Sequence, residues 1–189
     1  MFWRSERGER RFTASTHKFL VTAHVGVSVA WLGVVLAKLV LALLAMTASA
    51  PEAALALYFA MESLNIVFPP LVIASLVTGV ALTLGTRWGL LEYYWVLTKF
   101  VLSIAVFVSG ARFSTVLAQG SIAARTGVSL PEDTFLAWVA SPGTLLAALF
   151  ATHVLGLAVA TVLSQYKPWG LTPRVLADGP RRLVQAARQ

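Results

Sequence analysis

An all-α integral membrane protein, a four-helix bundle with both chain ends in the cytoplasm, is the fold class this sequence predicts. Three observations predict it. Of 189 residues, 58% are hydrophobic and only 12% charged, about half the charge a soluble domain carries. The mean hydropathy is +0.77, so over most of the chain the solvent has to be lipid. Four apolar runs are each long enough to cross hydrocarbon, which takes about 20 residues of helix. Finally, the Lys and Arg residues gather at the two ends of the chain, where they read as a topology signal.

Residues 1–18 form a basic tail with Arg4, Arg7, Arg10, Arg11 and Lys18. The first span covers about 19–46, interrupted only by His24 and Lys38. Ala48-Ser49-Ala50 has the form of a signal-peptide cleavage site. The apolar run before it is nonetheless about twice the usual 7–15 residues, and Pro51 follows directly, so cleavage is not expected. Residues 51–66 read as a helical extension on the outer side, and Pro69-Pro70 kinks or restarts the helix near the interface, where the second span, about 67–84, begins. The third span, about 91–110, opens on Tyr93, Tyr94 and Trp95, aromatic residues suited to a membrane interface. The fourth covers about 145–163, and residues 167–189 form a second basic tail. The long outer connection 111–143 contains Ser129-Leu130-Pro131-Glu132-Asp133, a helix-start pattern.

Outside the spans, eleven Lys and Arg residues fall on the side of the two tails and the turn at Arg87. Only Arg112 and Arg125 fall on the other, with Lys38 added if it snorkels outward. The positive-inside rule then places both tails in the cytoplasm of a multi-pass protein of the inner (cytoplasmic) membrane. The formal net charge of +7 is spent on this rim and on anionic lipid, not on nucleic acid. The bilayer is the expected partner, with a homo-oligomer or a membrane partner subunit as further options. The absence of cysteine excludes disulfides and thiolate chemistry.

Helices in lipid associate through small residues. Ala23, Gly26, Ala30, Gly33 and Ala37 lie on one face of the first span, which predicts a tight interface there. The short turn after the second span makes spans two and three antiparallel neighbours.

Ionisable groups inside hydrocarbon are costly and mark function. Four qualify: His24 and Lys38 in the first span, Lys99 in the third and His153 in the fourth. No soluble-enzyme constellation accompanies them, and no residue is assigned a catalytic role. At 1.5 Å per residue, His24, Lys99 and His153 lie about 8, 12 and 15 Å below the inner boundary, within one layer. Two histidines at similar depth suit haem b, whose iron takes an imidazole on each face. His24 and His153 are the metal-ligand candidates, with Gly156 and Ala160 leaving room for a porphyrin edge and Lys99 available to a propionate. The plainer alternatives are packing histidines, a Lys99 that snorkels or pairs with Glu92, and a Lys38 that snorkels. His24, Trp31 and Lys38 recur every seven residues along one face, so Trp31 either lines the same site or packs. Two or three histidines underfill a zinc or copper site.

His24-Val-Gly-Val-Ser-Val-Ala-Trp31-Leu-Gly33 resembles the first helix of small bacterial membrane proteins that include CopD-type copper-resistance domains and HemJ-type protoporphyrinogen oxidases. Trp95-Val-Leu-Thr-Lys99 is similar to the HemJ-type third helix. The resemblance spans the first three helices and implies a haem-ligating or catalytic role for His24 and an intramembrane role for Lys99. HemJ-type proteins usually carry another histidine between that Trp and Lys, where this chain has Val96, Leu97 and Thr98. The functions to weigh are therefore haem b binding for electron transfer or haem handling, porphyrinogen oxidation, and a non-catalytic subunit, scaffold or small transporter.

Overall fold

A computed structural model describes residues 2–4, 10–85, 90–127, 141–170 and 172, with side chains from residue 12 onward. Four helices among these residues are long and apolar enough to cross a membrane. The chain is an all-α bundle of membrane-spanning helices.

Two short strands, β1 (Phe2–Arg4) and β2 (Arg10–Phe12), pair antiparallel ahead of the bundle. Helix α1 (Ala14–Thr47) starts where Thr13 caps it by accepting the amide N–H of Thr16, one of the donors a helix start leaves unsatisfied. After a bend, α2 (Pro51–Ser63) opens with Pro51 at its first position and Glu52 in its first turn. Both choices suit a helix start, where the missing N–H costs nothing and a carboxylate complements the dipole. A 3-10 turn at Leu64–Ile66 joins it to α3 (Phe68–Gly85). Pro69 and Pro70 fall in the first turn of α3, the place where prolines restart a helix without breaking one.

Helix α4 (Tyr94–Thr126) is 33 residues long, sixteen residues beyond the expected end at Gly110. It stops at Gly127, whose φ of 70° is the left-handed C-terminal conformation open to glycine. The expected outer connection therefore shrinks to 127–141, and the Ser129–Asp133 pattern lies outside the described residues. Helix α5 (Pro142–Tyr166) completes the bundle. Beyond it, the Thr172 N–H donates to Glu92 O at 2.8 Å and the Thr172 hydroxyl to Leu91 O at 2.8 Å. The start of α1, the end of α3, the start of α4 and the end of α5 thus share one end of the bundle.

Two packing expectations are corrected. The small-residue face of α1 is not an interface within the chain: Gly26, Ala30, Gly33 and Ala37 face outward, and a Cβ built on Gly26 or Gly33 would meet nothing. The opposite stripe, Trp31, Val35, Lys38, Ala42 and Ala45, is the buried one. Burying large side chains against α3 and α5 gains more dispersion contact than a small-residue face offers within a single chain. Helices α3 and α4, expected as close neighbours, touch little. α4 packs chiefly on α5, and α1 on α3 and α5.

Candidate functional site

The stripe on α1 places three polar positions against the other helices at successive heights. Lowest, near the end where α1 starts and α5 ends, is His24. Its Nδ1 lies 3.1 Å from Ser75 O and 3.0 Å from Thr78 Oγ1. A carbonyl oxygen can only accept, so Nδ1 carries the hydrogen and Nε2 presents a lone pair. That lone pair faces Lys99 Nζ at 3.5 Å, and the same amine donates to Ser164 Oγ at 2.8 Å. Ser28 and Ser75 hydroxyls meet at 2.8 Å beside this group. All four spanning helices contribute. Gly79 allows the approach, since a Cβ there would stand 3.1 Å from His24 Cε1. Lys99 turns to Ser164 and His24 instead of Glu92 seven residues earlier.

One step further along α1, Trp31 is 2% exposed. Its ring meets Phe68 edge to face at 6.4 Å, and Phe68 stacks on Phe107 at 6.4 Å. The Trp31 indole N–H has no acceptor among the described residues. These rings form an apolar plug across the bundle.

Beyond the plug, Lys38 does not snorkel to the headgroups; it is 2% exposed and points inward. Its ammonium donates to Asn65 Oδ1 and lies 5.4 Å and 5.5 Å from the Phe68 and Phe150 ring centres, within cation–π range. The Asn65 amide passes the interaction on, donating to Glu62 Oε2 at 3.1 Å and reaching Thr115 Oγ1 at 3.4 Å. A cation and a carboxylate are thus bridged by one side chain that is an acceptor at one end and a donor at the other. Buried His153 stands in the same half, packed against Phe150. The Ser109 hydroxyl donates to Ala105 O at 2.6 Å and accepts from His153 Nε2–H at 2.8 Å.

His24 and His153 are therefore not brought together. Lys99 and Ser109, their respective contacts on α4, are ten residues apart, about 15 Å of helix. Ser164 and His153 on α5 are eleven apart, about 16 Å. Two imidazoles at that separation do not fit one haem iron. In addition, His153 Nε2 is committed as a donor, and the face expected to leave a porphyrin gap is filled, with Val106 Cγ2 3.5 Å from where a Gly156 Cβ would sit. The common layer was misplaced because the helix ends differ from the expected ones. α4 starts at Tyr94 instead of Leu91, and α5 ends at Tyr166 instead of Leu163. These shifts separate His153 from Lys99. Among the described residues no three His, Asp or Glu side chains converge on a metal-sized site.

No family model, curated protein or solved structure matches this chain. Its function must be read from these contacts. Several of them escaped the sequence: Ser164, Thr78, Asn65 and Ser109 carry no signal of their own. Serine and threonine in apolar helices commonly bond their own preceding turn, as Thr78 also does to Ala74 O at 2.7 Å.

Proposed function

We propose that this multi-pass membrane protein carries protons through its bundle, with Lys99 and His24 as the exchanging pair and Lys38, Asn65 and Glu62 as the polar station beyond the plug. The observation that carries the reading is the Lys99 ammonium set 3.5 Å from an imidazole nitrogen whose lone pair has no other partner among the described residues. A proton leaving Nζ forms a new N–H bond at His24 Nε2, leaving a neutral amine and an imidazolium. The Nδ1–H bond of the imidazolium, hydrogen-bonded to Ser75 O and Thr78 Oγ1, then breaks to a water molecule admitted on that side of the ring, leaving a neutral imidazole that keeps the hydrogen on Nε2. Histidine is suited to such relays because its two nitrogens are separate proton sites, and intramembrane titratable chains mark proton pathways. The plug of Trp31, Phe68 and Phe107 interrupts the path, which supports gated passage over an open leak. The orientation belongs to the proposal: both tails in the cytoplasm, from the distribution of Lys and Arg.

The test is proton flux into liposomes holding the purified protein and an internal pH dye, driven by a potassium diffusion potential. Flux above that of empty liposomes, lost in Lys99→Met and in His24→Phe, is expected. Wild-type flux equal to the empty vesicles ends the proposal.

A second reading keeps the resemblance to HemJ-type oxidases. It is supported by one contact: the two residues the resemblance singled out, His24 and Lys99, are those that stand 3.5 Å apart. Rescue of a bacterial strain lacking protoporphyrinogen oxidation, by wild type and not by Lys99→Ala, tests it. Absence of rescue by wild type removes it. Haem b shared by His24 and His153 forms no part of either reading, given their separation.

A further inference from the structure

The opposite end of the bundle holds a second group of polar side chains that the proton pathway does not use. Arg125, near the end of α4, reaches across to the last turn of α1. Its Nη2 donates to Ala45 O at 3.1 Å and Met46 O at 3.2 Å, and its Nη1 to Ala48 O at 3.4 Å. A guanidinium has five N–H donors, so three bonds leave two. The cation caps a helix C-terminus, where free carbonyls and the negative end of the dipole favour it, and no carboxylate pairs with it among the described residues.

Beside it is a cavity of about 260 Å³ lined by Met46, Tyr58, Ser121, Arg125, Gly143 and Thr144, among others. Gly143 and Thr144 stand in the first turn of the 25-residue helix α5, whose Ser141 cap makes no side-chain hydrogen bond. Their N–H groups have no intrahelical acceptor and carry the positive end of the helix dipole. The independent observation is Tyr58. Tyr58 is 2% exposed and lines the cavity, and among the described residues its hydroxyl has no hydrogen-bond partner. A phenol hydroxyl that faces a cavity is a donor that a ligand there can engage. Space is reserved for one at Gly143: a Cβ there would stand 3.0 Å from Tyr58 Oη and 3.7 Å from Ser121 Oγ.

We infer that this cavity binds a phosphate group, held by the two free Arg125 donors, the Tyr58 hydroxyl and the α5 N-terminal amides. Among the described residues every free polar group lining it can donate, and a guanidinium fork beside a helix N-terminus is the pairing that suits phosphate. The phosphate can come from a lipid headgroup or from a soluble phosphate, and the two sources are separable.

The full-length protein in neutral detergent is titrated with inorganic phosphate by calorimetry, and its retention of phosphatidylglycerol is read by native mass spectrometry. Saturable phosphate binding weakened about tenfold or more in Tyr58→Phe and abolished in Gly143→Ala supports a soluble source. Retention of phosphatidylglycerol that Tyr58→Phe removes, without binding of free phosphate, supports the lipid. Tyr58→Phe alters one hydroxyl and leaves the Arg125 cap of α1 intact, so loss of folding does not obscure the result. Two outcomes overturn the inference. One is binding of neither probe, or binding unchanged in Tyr58→Phe. The other is phosphate binding that appears only in the double variant Glu132→Gln, Asp133→Asn, which would mean that the chain's own carboxylates occupy the cavity. Either outcome leaves the proton-flux assay, and the reading that rests on it, untouched.

Discussion

Lys38 shows how an expensive residue is accommodated. A lone ammonium in hydrocarbon costs several kcal/mol, and here three kinds of contact offset that cost: the Asn65 carbonyl oxygen, two aromatic faces and, through Asn65, the Glu62 carboxylate. Removing one partner leaves the other charge stranded. Lys38→Met is expected to lower thermal stability in detergent by about 1–3 kcal/mol, and Glu62→Gln in the same protein to restore part of it. Strictly additive losses in the double variant would show that the two charges do not sense each other. Trp31 carries a different expectation. It fills the plug between the polar stations, so Trp31→Ala should raise proton flux into liposomes, while unchanged or reduced flux would deny it a gating role. The seven-residue spacing of His24, Trp31 and Lys38 was legible in the sequence, since seven residues are close to two helical turns. The partners were not, because a hydroxyl or amide in an apolar helix looks the same whether it bonds its own turn or a neighbour.

At the scale of the element, α4 is where reading and structure diverge most. Hydropathy falls after Gly110 with Arg112, Gln119 and Arg125, and a span that ends there is the natural reading. The helix continues because Ser114, Leu117, Ala118 and Ser121 are buried at spacings of three and four. That pattern of small and apolar residues marks a packed face even where mean hydropathy is low. Gly127 was the available stop signal. A left-handed conformation costs a non-glycine residue about 1–2 kcal/mol, so Gly127→Ala should lower the unfolding midpoint by a corresponding amount. A midpoint equal to wild type would mean that the helix end relaxes freely. Arg125, counted on sequence as an outer-side charge, instead closes the last turn of α1. That long-range cap, across 77 to 80 positions of chain, had no local signature.

For the whole molecule, four crossings put both ends of the bundle on one side, and the proposal that this side is the cytoplasm rests on the excess of Lys and Arg there. Because the chain has no cysteine, single substitutions report cleanly on sidedness. A membrane-impermeant maleimide added to intact cells should label Thr134→Cys and spare Ser5→Cys and Ala177→Cys. Labelling of either tail position from outside would invert or break the assigned topology. The outward-facing small residues of α1 show that helix order in the bundle is not set by the closest-fitting pair alone.

Composition and periodicity were enough to establish lipid as the solvent, the number of crossings and the face of α1 that carries His24, Trp31 and Lys38. These depend on each helix taken singly, and burial in hydrocarbon acts on each helix separately. Only the tertiary structure decided that His24 meets Lys99 while His153 stays with Ser109, because that depends on the height and rotation of one helix against the next. Both are set jointly by the packing of all the helices, and an offset of a few residues at each end moves a side chain from one polar layer to another.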